Sequence, residues 1–356
     1  MTRRVLFLFL ALCLLPGLAL AAKTNAKAPV KAAAKISAKT PAKIPAKAAK
    51  AGKAAKAART AAQAVPELVC PESAGLGEPF LLRVRAKQPL TNVRLTWLGR
   101  TAQLTGRLSG RLSDHLSGRT VPGGWEAVAL LGSDVGNSAT GRHELVLRWA
   151  SARGKGGELR RGVRLLPVER PVESLELDEA MVTPPREAHA RILAERNQIQ
   201  GLMLGTLKRT VPAGADGADG RRWALPLLRP VPGTVSSMYG IGRVLNGQRH
   251  APHRGLDLEA DIGQPVLAVA DGTVLFAGEL YYAGNAVYVD HGQGLVSASF
   301  HQSELRVRTG DTVSRGQILG LAGDTGRSTR PHLHFGIWAW GRYVDPEPLF
   351  LYDPLP

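Results

Sequence analysis

Two long stretches of this chain consist of short apolar runs that alternate at period two and are cut by Gly, Pro, Asn and Ser. That pattern restricts both stretches to β-sheets. From Pro66 to about Val168 the runs are EPFLLRVRA, TNVRLTWLG, WEAVALLG, RHELVLRWA and LRRGVRLLPV. They predict an antiparallel β-sandwich of roughly 100 residues over 66–170, with Trp97, Trp125 and Trp149 in its core. No acids, histidines or cysteines cluster there, so this domain positions or regulates rather than reacts.

From Trp223 onward the runs resume as GTVSSMYG, PVLAVADGTVLFAG, NAVYVDHG, LVSASFH, QILGLAGDTG and HLHFGIWA. Helical periodicity is absent, so 223–356 reads as a second, all-β domain. Within it GQPVLAVADGTV and GDTVSRGQILG share an opening and a later glycine, as a duplicated β-unit would. Between the two stretches, Thr183-Pro184 signals a helix start, and Ile192, Ile199 and Met203 fall on one helical face. Residues 171–222 therefore form a connecting helix followed by the flexible linker PAGADGADGRR. The fold class is mainly β: sandwich, connecting helix, C-terminal antiparallel sheet.

The first 21 residues have a different purpose. Arg3 and Arg4 precede the apolar run VLFLFLALCLL, Pro16 and Gly17 break it, and Ala19-Leu20-Ala21 offers the small residues of a cleavage site. Val5 to Leu15 is too short for a spanning helix, which needs about 20 residues. Residues 1–21 are read as a signal peptide and the protein as exported, to the periplasm or cell envelope. Leu12 before Cys13 does not suit a lipid-anchored cysteine. Cleavage leaves Cys70 alone, which excludes an internal disulfide and points to a buried thiol.

Charge is concentrated in residues 22–65, which hold ten lysines, Arg59 and no acid. Without these eleven charges and those of Arg3 and Arg4, the formal +17 falls to +4 over 66–356. Lysines recur every fourth residue from Lys23 to Lys47, but prolines and like-charge repulsion oppose a helix. The segment reads as disordered. It is a spacer or an electrostatic tether to wall polymers or anionic lipid. Without aromatics to stack on bases it predicts no specific nucleic-acid partner. Nothing in the sequence sets an oligomeric state.

The chemistry lies in the last domain. In PHRGLDLEAD, His253 and Asp257 share parity with Gly255, so an extended segment projects them from one face while Leu256 and Leu258 point to the other. In STRPHLHF, His332 and His334 share a face in the same way, with Leu333 and Phe335 directed inward and Pro331 at the strand's first position. His301 ends the run ASFH. These five residues supply more nitrogen and oxygen ligands than one zinc ion needs. A catalytic zinc takes three protein ligands and keeps one position open, whereas a structural one is closed, usually by cysteines. With no cysteine in this domain, the spare histidines read as acid–base groups.

The ordered set HRGLD, SFHQSEL and GRSTRPHLHF resembles the lysostaphin-like zinc metallopeptidases, which cleave peptide cross-links of peptidoglycan. The likeness extends over roughly 225–350, including DGTV, GNAVYVDHGQGL and YVDPEPLF, and the sandwich and helix resemble the N-terminal region of some exported members. The resemblance implies one Zn2+ held by His253, Asp257 and His334 in a groove, with His301 and His332 as catalytic histidines. It implies a peptidoglycan endopeptidase that activates water on zinc with histidine assistance. Which histidine is the base is left open, as is the choice between a D,D cross-link and a glycine bridge. A non-catalytic wall-binding protein or activator of other hydrolases is the rival, which loss of a ligand would have favoured; none is lost.

Arg330 stands where relatives often have Gly, and Gln302 where Leu often follows the histidine. Tyr239 is a candidate for a tyrosine near the active site. Trp338 and Trp340 line the groove or the core. His115, His143, His189, His250 and His291 are read as structural or solvated.

Overall fold

The computed structural model describes residues 65–113, 120–151, 156–209 and 219–351. Residues 1–21, read above as a signal peptide, the basic segment up to Ala64, His115 and most of the glycine-rich linker lie outside them. Among the described residues no helix is long and apolar enough to cross a membrane.

The sandwich is present. One sheet orders Glu67–Val69, Phe80–Ala86, Thr120–Leu131 and Arg107–Ser113; the other orders Ser73–Gly75, Gly156–Leu166, Gly141–Ser151, Leu90–Trp97 and Arg100–Gln103. All pairings are antiparallel except Ser73–Gly75 with Gly156–Leu166. Leu82, Val84, Ala127 and Ala129 of the first sheet meet Leu95, Leu145, Leu147 and Val163 of the second, with Trp97, Trp125 and Trp149 among them. Cys70 is buried and free, and burial pushes its thiol pKa up.

The first sheet is buried on its other face too. Leu81, Val128 and Leu130 share an apolar core with Leu256, Leu258, Phe335 and Ile337 of the C-terminal domain. Burial on both faces explains why WEAVALL is nearly continuous in apolar residues rather than strictly alternating. Trp340, fully buried, extends into the sandwich core.

The C-terminal sheet runs in the order Val235–Ser237, Leu256–Leu258, Leu333–Ala339, Leu295–Gln302, Gly284–Asp290, Gly272–Leu280 and Thr312–Val313, with Arg342–Val344 beside Leu333–Ala339. Its pairings are antiparallel throughout. The two repeated motifs pair with one another: Pro265–Leu267 lies against Ile318–Leu321, and Gly272-Thr273 against Thr312-Val313.

The connecting region departs from expectation in two ways. The long helix is Ala188–Thr206, beginning four residues beyond Pro184, because Thr183 instead caps the short helix Glu179–Val182. Its Ile199 and Met203 are buried against Leu280, Tyr288 and Trp338. Upstream, Val172–Leu175 forms a strand that pairs in parallel with Gly242–Leu245, which turns back through Asn246-Gly247 into Gln248–His250. Both turn residues have positive φ, 46° and 76°, as an Asn-Gly hairpin turn requires.

Candidate metal centre

Asp257 and His334 are direct cross-strand partners in the sheet's interior. Their neighbours Leu256, Leu258, Leu333 and Phe335 point into the apolar core and are essentially fully buried, which turns the two polar side chains to the opposite face. His253 lies just ahead of its strand, with its N–H on the Ile241 carbonyl at 2.9 Å. Gly255 permits the close approach: a Cβ there would fall 2.7 Å from His334 Nε2 and 2.5 Å from the Phe335 carbonyl oxygen.

Three ligand atoms converge. His253 Nε2 is 3.0 Å from Asp257 Oδ1 and 2.9 Å from His334 Nδ1, and His334 Nδ1 is 2.9 Å from Asp257 Oδ1. Among the described residues this is the one group of three or more His, Cys, Asp or Glu side chains suited to a metal ion. His253 Nδ1 lies 2.9 Å from the Met238 carbonyl, which only accepts, so Nδ1 carries the proton and Nε2 is bare. A bare nitrogen and a carboxylate oxygen 3.0 Å apart repel unless a cation lies between them. Tetrahedral zinc with bonds of about 2.0–2.1 Å sets its ligands roughly 3.3 Å apart, close to what is seen. Two imidazoles and a carboxylate with no thiolate fit zinc with an open position.

The remaining atoms of the site are held by the fold. Arg243 Nη2 donates to Asp257 Oδ2 at 2.7 Å, leaving Oδ1 to face the imidazoles. Arg243 also donates to Ser237 Oγ at 3.1 Å, and Ser237 donates to Glu173 Oε2 at 3.1 Å. Burial opposes the charge on Asp257, but its close contacts with the His253 and His334 imidazoles outweigh it and hold the carboxyl well below the usual carboxylate range. Burial drives His334 down to about 4. Asp257 and His334 therefore stand in the protonation states a metal ion would require, an ionised carboxylate and a neutral imidazole.

His301 and His332 face the same cavity, with ring centroids 4.8 Å apart. His301 adopts φ 61°, the left-handed region, and this local distortion lets consecutive residues Phe300 and His301 both reach the cavity. Phe300 stacks on His334 at 4.9 Å. His301 Nδ1 donates to the Thr325 carbonyl at 2.8 Å and His332 Nδ1 to the Arg330 carbonyl at 2.8 Å. Both therefore present a bare Nε2, that of His332 lying 3.7 Å from Asp257 Oδ1. Burial, aided by His332 and His334, pushes His301 down to about 3, so its imidazole is neutral. His332 is not on the strand but just before it, in a bridge with Gly323.

These residues line a cavity of about 370 Å3. Glu173, Leu175, the hairpin Gly242–His250, Tyr282 and the loop Arg327–Arg330 contribute to its lining. Segment 177–181 reaches the hairpin and Tyr281. Leu177 exchanges hydrogen bonds with the Asn246 side chain at 2.8 and 3.0 Å, and Tyr281 OH donates to the Ala180 carbonyl at 2.9 Å.

Some sequence readings hold in the structure and others need correction. Tyr239 is buried away from the cavity, donating to the Tyr343 carbonyl at 2.8 Å. Trp338 and Trp340 are core residues, and Gln302 is fully buried. Arg330 is exposed and lines the cavity. His291 is structural, with Nδ1 2.8 Å from the Asp271 carbonyl and Nε2 2.8 Å from Ser297 Oγ. His250, by contrast, lines the metal cavity. Arg243, Glu173 and Arg327 went unnoticed. The Asn-Gly turn was the available signal, since a hairpin through it makes Arg243 and His250 cross-strand partners.

Comparison with known proteins agrees with this geometry. The peptidoglycan DD-endopeptidase ShyA of Vibrio cholerae is 44% identical over 98 residues, 28% of this chain and 23% of that protein. The glycyl-glycine endopeptidase ALE-1 of Staphylococcus capitis is 39% identical over 99 residues, 27% of each chain. The chain thus spans about a quarter of the length of these relatives. The crystal structure of a candidate M23 peptidase from Pseudomonas aeruginosa superimposes with a TM-score of 0.53 at 26% identity, covering 76% of this chain and 93% of that one. Residues 251–346, which carry all five candidate site residues, match the model of Peptidase family M23, so this chain carries a domain of that family.

Proposed function

We propose that the protein is a zinc-dependent endopeptidase that hydrolyses peptide cross-links of peptidoglycan in the cell envelope. The observation that carries this is the convergence of His253 Nε2, Asp257 Oδ1 and His334 Nδ1 within 3.0 Å of one another. Bound there, zinc would lower the pKa of water towards about 7 and polarise the scissile carbonyl.

The chain's own residues supply the rest. His301 and His332 present bare Nε2 atoms into the cavity. One accepts the proton of the attacking water and later releases it to solvent; the other, first protonated from solvent, steadies the carbonyl oxygen as it gains charge and delivers that proton to the departing amine. The Nδ1 hydrogen bonds to Thr325 and Arg330 keep both rings in the required tautomer. Arg243 holds Asp257 in its ligating orientation.

The other regions fit around this centre. Residues 1–21 direct export and are removed, and 22–65 tether the enzyme to anionic wall polymers or lipid. The sandwich, 66–170, supports the sheet and sets the strand Val172–Leu175 as a groove wall. Relatives named for D,D bonds and for glycyl-glycine bonds match the same domain, so the bond itself is read from the groove.

The test is digestion of isolated cross-linked peptidoglycan by the zinc-loaded protein, with mass spectrometry of the released fragments. Cross-link-specific fragments should appear, cease with a chelator, and be absent with His334→Ala, which should also lose stoichiometric zinc. Zinc binding without fragments would favour a non-catalytic wall protein.

A further inference from the structure

Four arginines line the groove, and their partners differ. Arg243 is paired with Asp257 and lies 3.8 Å from Glu173. Arg254 lies 3.9 Å from Asp134 and against the Tyr343 ring. Arg330 is exposed at the rim. Arg327 is half-buried, with no carboxylate in ion-pair reach among the described residues.

Its surroundings hold it as a receptor rather than a strut. The guanidinium lies 4.5 Å over the Tyr282 ring, and its backbone N–H donates to the Tyr282 carbonyl at 2.8 Å, which fixes the loop on that residue. Its side-chain hydrogen bond, to the Met181 carbonyl, is 3.5 Å long, the outer limit for such a bond. Stacking on an aromatic ring orients a guanidinium without consuming its in-plane N–H groups. A partly desolvated cation without a counter-charge costs free energy, and that cost is recovered when an anion arrives.

A second group, on the hairpin Gly242–His250, lines the same cavity. His250 Nε2 is buried without a hydrogen-bond partner. The ring is close enough to Arg327 that burial and then the guanidinium charge both lower its pKa. The two acids of the cavity are already engaged, Asp257 by Arg243 and the imidazoles, and Glu173 by Ser237 and Arg243.

We propose that Arg327, oriented by Tyr282 and faced by His250, is a carboxylate-binding subsite, and that the enzyme selects cross-links with a free carboxylate on a residue flanking the cut bond. This rests on the endopeptidase reading and narrows it. A glycine bridge offers only neutral amides to such a subsite, whereas a D,D cross-link through a diamino acid with a second carboxyl group places a free carboxylate beside the scissile amide. A guanidinium binds that group through two parallel N–H···O bonds.

Two synthetic cross-linked peptide dimers test this, alike except that the flanking residue bears a free carboxylate in one and a carboxamide in the other. With the zinc-loaded full chain, kcat/KM should favour the acid by roughly tenfold or more, the size expected of one charged hydrogen-bonding contact. Arg327→Gln should bring the two peptides to parity, and Arg327→Lys should restore part of the preference. Equal rates with the unsubstituted protein, or a preference that persists in Arg327→Gln, would overturn the subsite while leaving the endopeptidase standing. If neither peptide is cut, the endopeptidase reading fails, and calorimetric binding of the two peptides decides the subsite. Tighter binding of the acid by a similar factor supports it; equal or absent binding refutes it.

Discussion

The outer face of the sandwich and the wall of the groove both carry arginine–carboxylate networks, and the two are opposites. On the sandwich, Arg160 bridges Glu158 at 2.7 Å and Glu144 at 2.8 Å, while Arg148 reaches Glu158 at 2.6 Å, all open to solvent. In the groove, Arg243 meets a buried Asp257 at 2.7 Å. Exposed pairs are screened and contribute little, whereas breaking a buried pair strands a charge. The sandwich therefore owes its stability to Leu, Val and Trp, and its charges keep strands in solution. The groove spends buried polarity on holding ligands in place.

Substitutions of His301 and His332 sharpen this contrast most. His301→Ala and His332→Ala, made separately, should each lower turnover by about 10²–10⁴-fold while stoichiometric zinc remains, as measured by metal analysis beside peptide cleavage. Loss of zinc in either would make that residue a ligand. Next comes the sandwich core. Leu147, fully buried, should cost about 2–5 kcal/mol of stability as Leu147→Ala, read by denaturant unfolding, with kcat unchanged in the molecules that remain folded.

Arg243→Ala should weaken zinc binding by roughly 10–100-fold in a chelator competition, the usual effect of removing a ligand's supporting partner. Arg160→Ala, the exposed counterpart, should leave both zinc affinity and melting temperature where they were. The smallest effect concerns Asp345, whose carboxyl burial pushes up to about 6. A folded-state value above the unfolded one favours the protonated form, so its stabilising contribution is present at pH 4 and is lost as pH rises through 6. Asp345→Asn should therefore raise the melting temperature at pH 8 and leave it nearly unchanged at pH 4.

His250 and His291 show where the sequence stops being informative. Each sits beside a turn and neither is in the set of five candidate site residues, so local context assigned both the same structural or solvated role. His291 has hydrogen bonds on both ring nitrogens inside the fold. His250 is carried by a hairpin to face Arg327, 77 positions away in the chain. Tyr239 erred in the other direction: close in sequence to His253, it points into the core instead. Sequence distance says nothing about which side of a sheet a connecting residue takes.

What the sequence determined alone were the features that depend on neighbours along the chain. Period-two alternation specified the strands of both regions and aimed Asp257 and His334 away from Leu256, Leu258, Leu333 and Phe335, because the pleat alternates faces whatever the sheet order. The motif order likewise brought His253, Asp257, His301, His332 and His334 into one constellation. Only the tertiary structure decided that the sandwich's first sheet is buried on both faces, that Val172–Leu175 lines the groove, and that Arg243 holds Asp257 while Arg327 has no acid in ion-pair reach among the described residues. Those outcomes depend on which surfaces meet across long chain separations, and no local pattern encodes that choice.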